Sequence, residues 1–262
     1  MQDIAYPHAD GDEPCRSGKE AGACGRRDPE RTRAAILEAA IAEFATRGLG
    51  GARVSRIAER ACTNKRMLYH YFGNKEALYL AALEAVYETI RGKELALDVD
   101  HMPPDEGMRA LVRTVWQQFL EHPEFISLLN SENLHRARYL ARSKRVPALQ
   151  SPLVEMIAGL LRRGTEAGLF RPGIDPTQLY LSIASLAYFC FSNRHTLAIS
   201  FGIDILDQEA LDRRLAHITE LVMRYLEART PDRPDAAGSR GGPPDPEVAA
   251  TKPLDLPPGG TL

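Results

Sequence analysis

The chain has 262 residues, 44% hydrophobic and 26% charged, with a formal net charge of −2. These are ordinary values for globular protein, enough for one or two domains. They exclude a strongly basic chain throughout, and four scattered cysteines exclude a disulfide framework. The charge is uneven, however: residues 26–79 carry 11 Lys/Arg against 6 Asp/Glu, a net of +5. Such a basic block suits a polyanionic partner, or else is simply a solvated basic face.

Residues 1–28 mix Gly, Pro, Asp and Arg without apolar periodicity, and read as a disordered tail without a secretory signal. Cys15 and Cys24, with His8 nearby, make at most a weak metal site, so no metal and no cofactor is expected. Asp28-Pro29 opens a first helix, with Ile36, Leu37, Ala40, Ile41 and Phe44 on one face and Gly48 at its end. A short helix over about 54–61 and another over about 64–72 follow, joined by a three- or four-residue turn. Asn74 caps a long helix from Lys75 to about Leu97.

Five further helices are expected: Asp105–Glu121, His122 to about Ala141, one after Pro147 to near Gly168, Asp175 to about Ser200, and Asp207 to about Ala228. The longest apolar run, Leu179–Phe191, has 13 residues and contains Ser182 and Ser185. It is too short for the roughly 20 residues that span a bilayer, so a cytoplasmic protein is expected. From Arg229 to Leu262, 13 of 34 residues are Pro or Gly, which reads as a second disordered tail. The class is therefore all-α with nine helices. The expected domains are 29–75 and 76–228, between tails 1–28 and 229–262.

The two short helices have helix-turn-helix spacing, in which the second helix enters a major groove. Ile57, Ala58, Leu68 and Phe72 would hold the pair together. Asn64, Lys65 and Arg66 fall in the first turn of the second helix, where Arg and Lys can donate to guanine and Asn can pair with adenine. Tyr69, His70, Tyr71 and Lys75 lie where hydroxyl, imidazole and ammonium groups reach phosphates. The N-terminus near Lys75 adds backbone donors. Helix pairs of this spacing also occur in ordinary bundles.

Residues Val54 to Leu78 closely resemble the DNA-binding domain of TetR-family regulators. The family's run is met by Ile57-Ala58, Leu68-Tyr69, Phe72, Lys75 and Leu78, and upstream Phe44 and Gly48 fit, so roughly 30–80 match. The nine-helix plan agrees. The resemblance implies groove contacts at Ser55, Lys65, Arg66 and Tyr69, and phosphate contacts at Tyr69, His70 and Lys75. Two residues depart from the pattern. Cys62 stands where Gly is usual, which argues against a left-handed turn, and reads as a small buried hydrophobe. Met67 stands where Ser or Thr is common, and packs inward or meets a thymine methyl.

In the last helix Leu211, Leu215, Ile218, Val222 and Tyr225 form one stripe, with Leu221 and Leu226 on a second edge. The helix over 175–200 is apolar nearly all round, so it is covered by its own domain on one side and by a partner's equivalent helix on the other, or wholly within one chain. The resemblance implies the first, a homodimer through 175–200 and 207–228. The middle helices should enclose a small-molecule effector, with Trp116, Phe119, Asn130, Asn133, His135, Tyr139 and Tyr188 as candidate contacts. Residues 122–140 look like the sensing domain of a TetR subgroup regulating pyrimidine and nicotinate breakdown, which implies an aromatic or heterocyclic effector.

Together these expectations describe a dimeric repressor on a palindromic double-stranded DNA operator, released when an effector shifts the helix beginning at Lys75. The alternatives are a helical scaffold without DNA and an enzyme using Glu132, Asn133 and His135. No nucleophile–base spacing, metal set or phosphate loop accompanies that trio.

Overall fold

Asp28 caps the first helix, its carboxylate accepting the Glu30 amide at 3.0 Å while Pro29 suits the opening turn. The computed structural model describes residues 28–228. The expectations about both tails, and about Cys15 and Cys24, lie outside those residues. In chain order the helices are α1 (Pro29–Gly51), α2 (Val54–Arg60), α3 (Lys65–Phe72), α4 (Lys75–Leu95), α5 (Pro104–Glu121), α6 (Pro123–Leu134), α7 (Arg145–Glu166), α8 (Pro176–Ser192), α9 (Arg194–Phe201) and α10 (Gln208–Leu226). Short 3-10 turns occupy Val99–His101 and Leu140–Arg142. Among the described residues the class is all-α, and the one extended pairing is an isolated bridge between Phe170 and Glu227.

Among the described residues the count is ten α-helices rather than nine, because the helix expected over 175–200 breaks at Asn193. Its side-chain and backbone N–H both donate to the Phe189 carbonyl, at 3.0 and 3.1 Å, and its own carbonyl accepts from the Thr196 hydroxyl. A residue that bonds its neighbours' backbone this way competes with helix propagation. The helix expected from His122 to Ala141 likewise stops at Leu134. Arg136 and Ala137 take φ of 57° and 53°, and the buried Glu132 carboxylate accepts the amides of Tyr139 and Leu140 at 3.2 and 2.9 Å.

Gly48 sits at φ 62°, where the expected end of the first helix lies, and one more turn continues to Gly51. A continuous apolar core then runs through the bundle. The long helix α4 is its spine, packing against α1, α3, α5 and α7. Phe44 of α1 meets Tyr79 of α4 edge-on at 5.0 Å, and Tyr79 meets Tyr139 at 5.4 Å. The short N-terminal helices are thus packed directly onto the rest of the bundle through α1, α4 and α6.

Candidate nucleic-acid interface and internal cavity

Helices α2 and α3 bury Ile57, Ala58, Leu68 and Phe72, the four residues expected to join them. Between them Cys62 adopts φ 47° despite its β-carbon, contrary to expectation. The turn is closed by the Thr63 amide on the Ala58 carbonyl at 2.9 Å and the Cys62 amide on Glu59 at 3.0 Å, the pairing that ends helices with a left-handed residue. Those bonds offset a backbone cost of about 1–2 kcal/mol. Cys62 is also exposed rather than buried.

With its apolar residues turned inward, α3 presents Lys65, Arg66, Tyr69 and His70 outward. Tyr69, 50% exposed, is the large hydrophobic side chain of this helix left on the surface. Met67 is half-buried against the core. Asn64 is exposed but precedes the helix: its side-chain oxygen accepts the Met67 amide at 3.0 Å. That oxygen caps α3, so the two-point pairing with adenine expected of Asn64 conflicts with the cap. Ser55 is exposed in the first turn of α2, and Lys75 is half-buried at the first position of α4. Gly73 at φ 77° turns the chain, and Asn74 caps α4 by accepting the Ala77 amide at 2.7 Å. The α4 N-terminus therefore opens beside the exposed face of α3.

Farther along α4, Tyr87, Ile90, Arg91 and Glu94 line a cavity of about 450 Å³. Helices α5 to α8 complete it, among others with Gln118, Phe119, Phe125, Tyr180 and Tyr188. Of the seven effector contacts expected from sequence, Phe119 and Tyr188 line this cavity. Trp116 does not, since on α5 the residues facing the space are Val115, Gln118 and Phe119, and Trp116 packs at 4.6 Å against Phe191. Asn130 is exposed and reaches the cavity only through its side-chain oxygen, which accepts the Tyr188 hydroxyl. Asn133 and His135 are exposed at the end of α6, where the chain turns away. Tyr139 packs on Tyr79 beside a shallow cleft formed with Asn74, Glu76 and Arg142.

The polar heart of the cavity escaped the sequence reading. Arg91 donates to Glu94 and to the Tyr180 hydroxyl, which in turn donates to Glu94 at 3.2 Å, and all three are buried. Burial pushes the Glu94 carboxyl above its ordinary range, with Arg91 opposing. Desolvation works against the Arg91 charge, but Tyr180 and Glu94 outweigh it and its hold on the proton is raised. Glu132, the acid–base candidate of the enzyme reading, is committed instead to capping the loop after α6.

The stripe on α10 points mostly inward: Leu211, Ile218 and Val222 are buried in their own chain, Leu215 is half-buried and Tyr225 is exposed, while on the second edge Leu226 is buried and Leu221 exposed. On these two helices the exposed large apolar side chains are Leu181 and Phe189 on α8 and Leu221 and Tyr225 on α10, with Phe189 53% exposed, while Ile199 and Phe201 of the intervening α9 are more exposed still. No helix of the described residues is long and apolar enough to cross a membrane.

The family model of bacterial regulatory proteins of the tetR family matches residues 36–82, and that of the tetracyclin repressor-like C-terminal domain matches 104–222. The chain is 39% identical over 197 residues to the HTH-type transcriptional repressor NicS of Pseudomonas putida, covering 75% of this chain and 93% of the relative. It is 35% identical over 159 residues to the HTH-type transcriptional repressor SCO4008 of Streptomyces coelicolor, covering 60% and 78%. Among solved structures, transcriptional regulator SCO4942 of Streptomyces coelicolor aligns with a TM-score of 0.55 at 25% identity, over 75% of this chain and 99% of that one.

Proposed function

The chain belongs to the TetR family of bacterial transcriptional regulators, not to an enzyme family, and on that basis we propose that it is a dimeric repressor released from DNA by a small molecule. Residues 29–75 read the operator, and residues 76–228 sense the effector and pair the two copies. The observation that carries this reading is the outward face of α3. Lys65 and Arg66 stand in its first turn, Tyr69 one turn on, and none is taken up by the fold.

In this reading Lys65 and Arg66 donate to base edges, and Ser55 and Tyr69 reach the groove as well. Tyr69, His70 and Lys75 bind phosphate oxygens, with the α4 N-terminus alongside. Asn64 acts by capping α3 and offers its remaining amide hydrogens. A C2 dimer places two α3 helices in successive major grooves of a near-palindromic operator. The exposed Leu181, Phe189, Leu221 and Tyr225 support α8 and α10 as the pairing surface, because exposed apolar patches mark such contacts. The operator lies in the cytoplasm, and so does the protein that reads it.

The cavity between α4 and α8 is the effector site. Its aromatic walls favour an aromatic or heterocyclic molecule. One rigid element serves both sites: α4 begins at Lys75 and carries Arg91 and Glu94 about 25–30 Å farther on, at 1.5 Å per residue. The effector shifts the equilibrium between DNA-competent and released arrangements only by the difference in its affinity for them. The test is a mobility shift of the DNA upstream of the chain's own reading frame. Retardation by the full chain, weakened by Tyr69→Ala, supports the reading; no retardation at micromolar protein refutes it.

A further inference from the structure

The cavity holds polar groups that its own residues leave unused. Gln118 is 2% exposed, and neither its side-chain oxygen nor its side-chain nitrogen has a hydrogen-bond partner. Buried amides are nearly always paired, because an unpaired one has given up water without return. A leucine of similar size on this face of α5 would avoid the cost. Arg91 adds a third unused group, its buried Nε, while its Nη1 serves Glu94 and Tyr180. All of these groups belong to residues lining the same 450 Å³ space.

The charges around that space already cancel. Arg91 and Glu94 form a buried ion pair, and the Tyr180 hydroxyl completes it. A ligand with net charge would bring an uncompensated charge into this interior, which is strongly unfavourable. Four aromatic rings, Tyr87, Phe119, Phe125 and Tyr188, face the same cavity beside aliphatic Ile90, Val115, Leu129 and Val154, and offer flat surfaces against which a planar ligand can stack. Three requirements follow together. The ligand offers an acceptor to the Gln118 N–H, a donor to the Gln118 oxygen, and no net charge.

We infer that the effector is an uncharged, planar molecule presenting a donor beside an acceptor, the edge of an amide or a lactam, and that Gln118 reads this edge with both ends of its own amide. The inference rests on the reading of the cavity as the effector site. Arg91 Nε supplies a further donor to a second acceptor on the same ligand. Gln118 thereby determines specificity, since an analogue lacking the donor leaves the Gln118 oxygen buried and unpaired.

Binding is read by isothermal titration calorimetry, because the chain's single tryptophan, Trp116, packs on Phe191 rather than lining the cavity. Three probes of nearly one shape separate the possibilities in the full chain: benzamide, acetophenone, which lacks the donor, and benzoate, which is charged. Benzamide is expected to bind at least about tenfold more tightly than either of the others, the worth of roughly one paired buried group. In Gln118→Leu the preference over acetophenone falls to less than about threefold, while that over benzoate, set by charge, persists; Gln118→Met, which keeps the unbranched shape, gives the same comparison should the leucine variant fold poorly. Equal binding of acetophenone, tighter binding of benzoate, no binding of any probe, or a preference over acetophenone that survives both substitutions would overturn the inference. Ala184→Phe, which fills the cavity, tests the underlying reading separately. If benzamide binds that variant as well as wild type, the ligand sits elsewhere and the effector-site reading fails with it.

Discussion

Removing one partner of the Arg91–Glu94 pair should be far more damaging than removing both. Arg91 is 5% and Glu94 1% exposed, and the guanidinium also lies 5.0 Å over the Tyr180 ring. Arg91→Met keeps most of the aliphatic stem, so little packing is lost, but Glu94 keeps only the Tyr180 hydroxyl as a side-chain donor. An orphaned buried charge of this kind costs about 3–5 kcal/mol. In a chain of this size that lowers Tm by roughly 10–15 °C. The double variant Arg91→Met/Glu94→Leu contains no charge to strand and should return to within about 1–2 kcal/mol of wild type. The pH dependence has a definite sign. Burial raises the Glu94 carboxyl, so its contribution to stability is present below the unfolded-state value and is lost as pH rises through the folded one. Without Arg91 that gap widens, and the deficit of Arg91→Met should grow as pH rises from about 5 to 8. Thermal unfolding across that range measures it. A single variant as stable as wild type, or a deficit that ignores pH, would mean that the pair is not the closed, desolvated unit described above.

At the DNA face, Lys65→Ala or Arg66→Ala should relax sequence preference by about 1–3 kcal/mol per lost base contact. Lys75→Ala should weaken all duplexes alike and reduce the salt slope by about one, both read by anisotropy titrations at several ionic strengths. Gly164→Ala should destabilise by about 1–3 kcal/mol in thermal unfolding, because its β-carbon would lie 1.9 Å from a ring carbon of Phe170. Gly159→Ala in the same helix meets nothing within 4 Å and should stabilise by up to about 1 kcal/mol. Phe189→Glu with Leu221→Glu should leave a folded monomer, seen by sedimentation, since both side chains are exposed within one chain.

Four helix starts were legible because each is written in one residue: Asp28, Asn74, Asp175 and Asp207 all accept an amide in the first turn they precede. The exposed face of α3 was legible too, since Leu68 and Phe72 turn inward at a spacing of four and force Lys65, Arg66 and Tyr69 outward. The breaks at Asn193 and after Leu134 were hidden, because apolar periodicity continues past both and the competing hydrogen bonds are made by side chains. The cavity was hidden for a different reason. Arg91, Glu94 and Gln118 look like the solvated side of amphipathic helices, and only the fold sets Tyr180 against the first two, 86 to 89 positions along the chain. The α10 stripe marked an interior face, which a periodicity alone does not distinguish from a contact with a second copy.

The central claim, that α3 reads DNA as one of a symmetric pair, is tested most directly by selecting bound duplexes from a random-sequence pool with the full chain. The account predicts enrichment of two inverted half-sites, centred about one helical turn or a multiple of it apart, with the preference relaxed inside each half-site by Arg66→Ala. Recovery of no enriched sequence, or of one unpaired site indifferent to Lys65 and Arg66, would contradict it.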